Sequence, residues 1–461
     1  MSAITRRDCL KWMSVAAGGA ALGRAFPRAA DRPPNIVMIL CDDLGWNDVS
    51  FNGRPAWRTA NLDRPAWRTP NLERLAAQGT VYTRWYTGAP ICAPSRACLL
   101  TGRYTIHNGV TTNGADLPAS EVTIARALKD RGYATALVGK WHRGGGNWVH
   151  PLDRGFDQTY GYLTAREAWE HFPKTLWRGK TEEPASGFSS DILSGEAIQF
   201  IDRNRARPFF LYLAYIEPHL KIEAPPEDVA RFKGKFEEKD PANPLNATYA
   251  AMITRLDAGV GRVMAALDKA GLADNTLVVF TSDNGATFEV GNQGTANFHD
   301  SNYPFAGQKR TLNEGGIRMP ALARWPGRVP AGKKSAAVIH MTDLFPTFLA
   351  AAGGQADPAW QVDGRNMIEA LEGKAQPPER TLFWEWRAEG NYEWLAAMRG
   401  DLKLLSINGA TFLYDVARDP AERRNVFAEY PEMYRRLQGE VKEWMATARP
   451  GLEQKAGGRK Q

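Results

Sequence analysis

Asn35-Ile-Val-Met-Ile-Leu-Cys41, closed by Asp42-Asp43, is an unbroken apolar run that stops at two acids. Its length, its β-branched content and its lack of alternation read as a strand buried on both faces, the kind found in parallel sheets. Three later stretches repeat the pattern. Ala134 to Gly139 ends in Lys140-Trp141-His142, Phe209 to Ile216 in Glu217-Pro218-His219, and Thr276 to Thr281 in Ser282-Asp283-Asn284-Gly285. Amphipathic helical patterns lie between them, from Glu121 to Arg131, Asp191 to Asn204, and about Asn246 to Ala270. This alternation predicts an α/β fold, a large and mostly parallel sheet flanked by helices. In such sheets ligands sit beyond the carboxyl ends of the strands. Four strands that all deliver ionisable side chains to that edge predict a site there.

The texture changes after about Pro377. Thr381 to Trp386, Leu395 to Met398, Leu402 to Ile407 and Phe412 to Asp415 read as short strands, and Pro431 to Ala446 as a closing helix. Residues 31–376 are therefore expected to form a catalytic domain. Residues 377–461 are expected to form a smaller subdomain of antiparallel sheet plus helix, with a polar tail.

The chain has 461 residues, 43% hydrophobic and 24% charged, so it can bury a large core. This excludes a disordered chain, a collagen and a polytopic membrane protein. Its 58 basic and 51 acidic residues leave +7 over the whole length, too little to call for nucleic acid. A local basic pocket for a small anion accounts for the excess equally well. Four cysteines, Cys9, Cys41, Cys92 and Cys98, are too few to staple a fold of this size.

Residues 1–30 read as an address. Arg6-Arg7 precede a mild apolar stretch from Trp12 to Gly23, too short for a membrane span and similar to a twin-arginine export signal. A periplasmic or extracellular location follows, with no membrane span in the mature chain. Arg54–Asp63 and Arg64–Glu73 match at eight of ten positions. Only the second copy suits a helix start, because Pro65 breaks the first; the first copy is expected to be looped out.

The stretch richest in chemistry is Cys92-Ala-Pro-Ser-Arg96, which leads to Thr101-Gly102-Arg103. Pro94 and Gly102 bracket a helix, which sets Cys92 just before its N-terminus, where backbone N–H groups favour negative charge. Arg96 adds a forked cation suited to oxyanions. Physics alone leaves two readings open, an anion-binding cysteine and a buried structural one.

Cys-x-Pro-Ser-Arg followed by Thr-Gly-Arg resembles the signature of the type I sulfatases, in the alkaline phosphatase-like superfamily. The resemblance runs from Asn35 to about Val426. It includes Asp42-Asp43-Leu-Gly-Trp, Gly139-Lys140-Trp-His142, Gly155-Phe-Asp157, Ser282-Asp283-Asn284-Gly285, Gly307-x-Lys309, Glu314-Gly-Gly-Ile-Arg318 and Leu413-Tyr-Asp415. It implies that Cys92 is oxidised to Cα-formylglycine by a formylglycine-generating enzyme, a transient partner. It also implies one divalent cation held by Asp42, Asp43, Asp283 and Asn284 together with residue 92. Oxygen ligands select Ca²⁺ or Mg²⁺ over zinc, and the resemblance favours Ca²⁺.

The implied roles fit the residue types. Arg96 would orient residue 92, while Lys140 and Lys309 would hold sulfate oxygens. His219 or Lys309 would protonate the departing oxygen, and His142 would take the proton whose loss expels sulfate. His299, in a Gly/Asn-rich loop before Lys309, is expected to touch substrate. Trp141, Trp148, Trp169 and Trp177 are candidates to stack on sugars, with core packing an equal reading. The implied activity is hydrolysis of sulfate monoesters on a small molecule or oligosaccharide. The rival readings are a phosphoryl or phosphonate ester hydrolase of the same superfamily, and a non-catalytic protein that binds sulfated glycans.

Overall fold

The computed structural model describes residues 32–53, 67–143, 149–388 and 392–450. The segment expected to be an export signal, the first repeat copy, Trp148 and the last eleven residues lie outside the described residues. Fourteen strands are described: β1 (Asn35–Asp42), β2 (Thr80–Tyr86), β3 (Ala134–Arg143), β4 (Gln158–Thr164), β5 (Thr175–Arg178), β6 (Thr181–Pro184), β7 (Phe209–Pro218), β8 (Thr276–Ser282), β9 (Leu322–Arg324), β10 (Lys333–His340), β11 (Thr381–Ala388), β12 (Tyr392–Arg399), β13 (Leu402–Ile407) and β14 (Ala410–Asp415). The first ten form one sheet in the order β10-β2-β9-β8-β1-β7-β3-β4-β5-β6, and the last four an antiparallel sheet in chain order.

The four strands expected from sequence are the centre of the large sheet. β1 pairs in parallel with β7 and with β8, and β7 pairs in parallel with β3. Every residue of β1, β7 and β8 is buried. Alternate residues of β1 feed two cores. Val37 and Ile39 pack with the Leu245–Lys269 helix, whereas Ile36, Met38 and Leu40 pack with the Leu344–Ala351 helix. Each fully buried aliphatic side chain contributes about 1.5–3 kcal/mol, which makes these two layers the main apolar support for the strand ends. Among the described residues no helix is long and apolar enough to cross a membrane.

Several elements depart from the sequence expectation. The helix expected over Glu121–Arg131 is confined to Ile124–Lys129, because Thr123 accepts from the Arg126 N–H and caps it there. β2 and β10, a parallel pair, were not expected; β10 opens on exposed Lys333 and Lys334, and its apolar run is confined to residues 336–339. Gly139, at φ 115°, lets β3 press on β7: a Cβ there would lie 1.9 Å from the Ala214 carbonyl oxygen.

The small sheet is tied to the large one by a buried charge cluster. Lys403 on β13 reaches Glu314 Oε1 at 3.0 Å and Glu422 Oε1 at 3.0 Å. Glu314 also accepts from the Tyr86 hydroxyl on β2, at 2.9 Å.

Glu385 on β11 is buried with its Oε1 unpartnered. Burial pushes its carboxyl up to about 7. The folded chain therefore keeps a proton that the unfolded chain releases near ~4.3, so this stabilisation is full below that value and is lost as pH climbs through about 7. Glu385→Gln should flatten the dependence of Tm on pH across this window and raise Tm at the alkaline end, read by calorimetry. An unchanged slope would refute the assignment.

Candidate active site

The carboxyl ends of β8, β1, β7 and β3 lie side by side and bring their polar residues together. Asp42 closes β1, Lys140 and His142 belong to the end of β3, His219 follows β7, and Asp283-Asn284 follow β8. Cys92 is the first residue of the Cys92–Thr101 helix, with Ile91 as its N-cap. The expectation had placed Cys92 one step outside the helix. Pro94 falls within the first turn, where its missing N–H costs nothing.

Of the eleven residues expected at the site, all but one group together. Cys92 Sγ lies 3.3 Å from Asp42 Oδ1 and 4.0 Å from Asp43 Oδ1. Lys140 Nζ reaches Asp42 Oδ2 at 2.5 Å, and Lys309 Nζ reaches Asp43 Oδ2 at 2.9 Å. Arg96 donates from Nε to Asp283 Oδ2 at 2.9 Å and from Nη1 to the Lys140 carbonyl at 3.1 Å, so it bridges two strand ends. Asn284 donates to Asp43 Oδ1 at 2.7 Å. His219 Nε2 stands 3.7 Å from Asp43 Oδ2. The imidazole of His142 is buried, and neither ring nitrogen has a hydrogen-bond partner.

His299 is the exception. Its Nε2 donates to the Asn246 carbonyl at 3.0 Å, and its ring sits among Trp67, Tyr249, Phe236 and Phe298. The substrate contact expected for His299 does not fit this placement, because the loop that carries it folds into the core. Of the tryptophans, Trp141 packs against Phe156 and Trp177 donates to Glu167, while Trp169 is partly exposed.

The electrostatics follow from burying three carboxylates beside three cations. Burial pushes Asp42 upward, but Lys140, His219 and Arg96 outweigh it and hold the carboxyl well below the usual range. Asp283 goes the other way: burial and the Asp42 carboxylate push it up to about 7. Burial, reinforced by Asp42, lifts the Cys92 thiol well above the ordinary range, which overrides the helix-end effect and disfavours the thiolate. Burial and the neighbouring Lys140 hold His142 well below its usual value, and burial takes His219 down to about 4.

Asp43 and His142 both adopt left-handed backbone, at φ 61° and 65°. Such conformations cost about 1–3 kcal/mol when stored outside glycine and persist only where neighbours fix them. The Asp43 N–H is fixed by Asp283 Oδ1 at 3.2 Å. Sequence reading gave no signal for either.

The residues fit a divalent cation. Donor atoms of Asp42, Asp43, Cys92 and His219 lie within 4.8 Å of one another, and Asn284 Oδ1 is buried without a partner. His219 in this group was not expected; its place just after a strand end was the available signal.

This mostly parallel sheet, with carboxylates and lysines buried at one edge, agrees with the resemblance to the alkaline phosphatase-like superfamily. A family model described as Sulfatase matches residues 34–354, and one described as N-sulphoglucosamine sulphohydrolase, C-terminal, matches residues 305–450. The N-acetylgalactosamine-6-sulfatase of Homo sapiens is 35% identical over 393 residues, 77% of this chain and 69% of that protein. The steryl-sulfatase of Mus musculus is 30% identical over 525 residues, 88% of this chain and 81% of that protein. The crystal structure of Ps i-CgsB, also solved in complex with k-i-k-neocarrahexaose, has 32% identity and a TM-score of 0.81, covering 91% of this chain and 94% of that one. The chain belongs to the sulfatase family and is a sulfuric ester hydrolase.

Adding Ca²⁺ or Mg²⁺ to chelator-treated protein should raise Tm with the logarithm of cation concentration, as for any ligand selective for the folded state. Asp283→Ala should lose most of that rise. An equal rise in the variant would remove Asp283 from the cation site.

Proposed function

We propose that the chain hydrolyses sulfate monoesters of glycans through a formylglycine made from Cys92, beside Ca²⁺ held by Asp42, Asp43, Asp283 and Asn284. The observation that carries the reading is Cys92 itself, buried at a helix start against Asp42, with Lys140 and Lys309 on the same carboxylates. The thiol is a poor nucleophile there, since burial and Asp42 disfavour its thiolate. Formylglycine hydrate would supply two hydroxyls on one carbon, one to bond to sulfur as the alcohol leaves and one whose deprotonation would release sulfate. A divalent cation supplies positive charge where the sulfate oxygens gather.

The chain's own residues do the rest. Lys140 and Lys309 bind sulfate oxygens, and Arg96 holds the strand ends at the spacing this needs. Lys309 Nζ or His219 Nε2, both facing Asp43, gives a proton to the departing alcohol. His142 is neutral and has a free ring nitrogen, so it accepts the proton whose loss releases sulfate. Glycan substrates are supported by the named relatives, an N-acetylgalactosamine-6-sulfatase and a structure bound to k-i-k-neocarrahexaose. The twin-arginine segment supports export to the periplasm or beyond, and residues 31–376 and 377–461 serve as catalytic domain and C-terminal subdomain.

Active protein should carry formylglycine, so the tryptic peptide containing residue 92 should be lighter by the exchange of H₂S for O. Cys92→Ala should fold and lack turnover. Cys92→Ser should be nearly as inactive, having no second hydroxyl. Aryl sulfate should be cleaved far faster than the matching aryl phosphate. Full activity with an unmodified thiol would overturn the mechanism.

A further inference from the structure

His219 hangs on a turn whose geometry is set from behind. Its Nδ1 donates to the Leu220 carbonyl at 2.9 Å, which leaves Nε2 facing Asp43. Its own carbonyl oxygen accepts from His171 Nε2 at 3.0 Å. His171 is fully buried and lies between β4 and the Ser189–Arg203 helix. Its Nδ1 stands 3.3 Å from Ser189 Oγ, which is hydrogen-bonded to Glu217 Oε1, and its carbonyl accepts from the Ser189 N–H at 2.8 Å. Glu217 is two residues before His219 on the same strand end. One imidazole and one hydroxyl thus grip both sides of the Glu217–His219 turn.

We propose that His171, with Ser189 and Glu217, forms a buried clamp that positions the His219 ring, making His171 a positioning residue for the reaction. This rests on the reading above that His219 acts at the ester. His171 hydrogen-bonds to Ser189 and to the His219 carbonyl, and Ser189 to Glu217; none of these bonds goes to Asp42, Asp43, Cys92 or Lys309. Their effect on turnover therefore passes through the backbone that carries His219. Burial makes the clamp stiff: an imidazole with no water to turn to holds its partners or leaves them unsatisfied. A displacement of about 1 Å at a reacting group can cost about a hundredfold in rate.

The test is a double-mutant cycle on formylglycine-loaded protein. His171→Leu should lower kcat by about tenfold to a hundredfold with KM changed by less than about threefold. In a His219→Ala background the same substitution should cost almost nothing more. His171→Gln, whose amide can still donate to the His219 carbonyl, should recover most of the rate. Ser189→Ala should show a weaker version of the same non-additive loss, and it decides the matter alone if His171→Leu does not fold. A loss that persists undiminished in the His219→Ala background would overturn the clamp while leaving His219 in place. Full activity of His219→Ala itself would instead overturn the reading on which the clamp rests.

Discussion

Three carboxylates and three cations buried together at one sheet edge are the constraint on which this structure turns. Asp42, Asp43 and Asp283 are almost wholly inaccessible, as are Arg96, Lys140 and Lys309. Removing a charge from water costs several kcal/mol even after relaxation, and only close, well-directed partners offset it. The partners here come from five separate parts of the chain, so the cluster exists only when the sheet, the Cys92–Thr101 helix and the Lys309 loop are all in place. Arg96 is the least replaceable member. Its fork reaches the Asp283 carboxylate and a backbone carbonyl of β3 at once, a job that a lysine's single ammonium does not perform.

The C-terminal sheet enters the same argument at one remove. Lys309 lies on a loop whose later residues reach Glu314, and Glu314 is held by Lys403 from β13 and, through its N–H, by Glu422. The loop is also pinned at the site side, where the Lys309 N–H donates to the Ala286 carbonyl at 3.2 Å and the Arg310 N–H to the Pro90 carbonyl at 2.7 Å. The small sheet is thus a brace for a lysine of the site. Its four strands and helix bury their own apolar faces, and the ion cluster transmits that rigidity to the loop.

How much of this was legible in the sequence depends on what each feature needs. β1, β3, β7 and β8 announce themselves because a strand buried on both faces has no choice but to be apolar, and the residues after it no choice but to be polar. The cluster could be assembled because those ends are neighbours in any sheet built from these strands. β2 and β10 were missed because partly exposed residues break their apolar pattern, and β9 because three residues, one of them an arginine, are too few to show any pattern. His299 misled for a related reason: a Gly/Asn-rich loop reads as surface, yet this one folds its histidine among four aromatic rings. The His171–Ser189–Glu217 contacts join residues 18 and 28 positions apart, across a bend that no local pattern encodes.

The charge count also says why the site suits sulfate. With three carboxylates against three cations the cluster is close to neutral, and the lysines are occupied by Asp42 and Asp43. A divalent cation among the carboxylates would take over part of that neutralisation and leave an excess of positive charge. Lys140 and Lys309 would then have ammonium protons to offer an incoming anion without leaving a buried carboxylate unpaired. The neutral state of His142 fits the same scheme: an imidazolium beside two lysines and an arginine would be repelled, so one ring nitrogen is unprotonated at rest. A strongly buried site that is nearly balanced when bare, and positive once its cation arrives, rewards binding of a compact anion and gives little to a neutral ester.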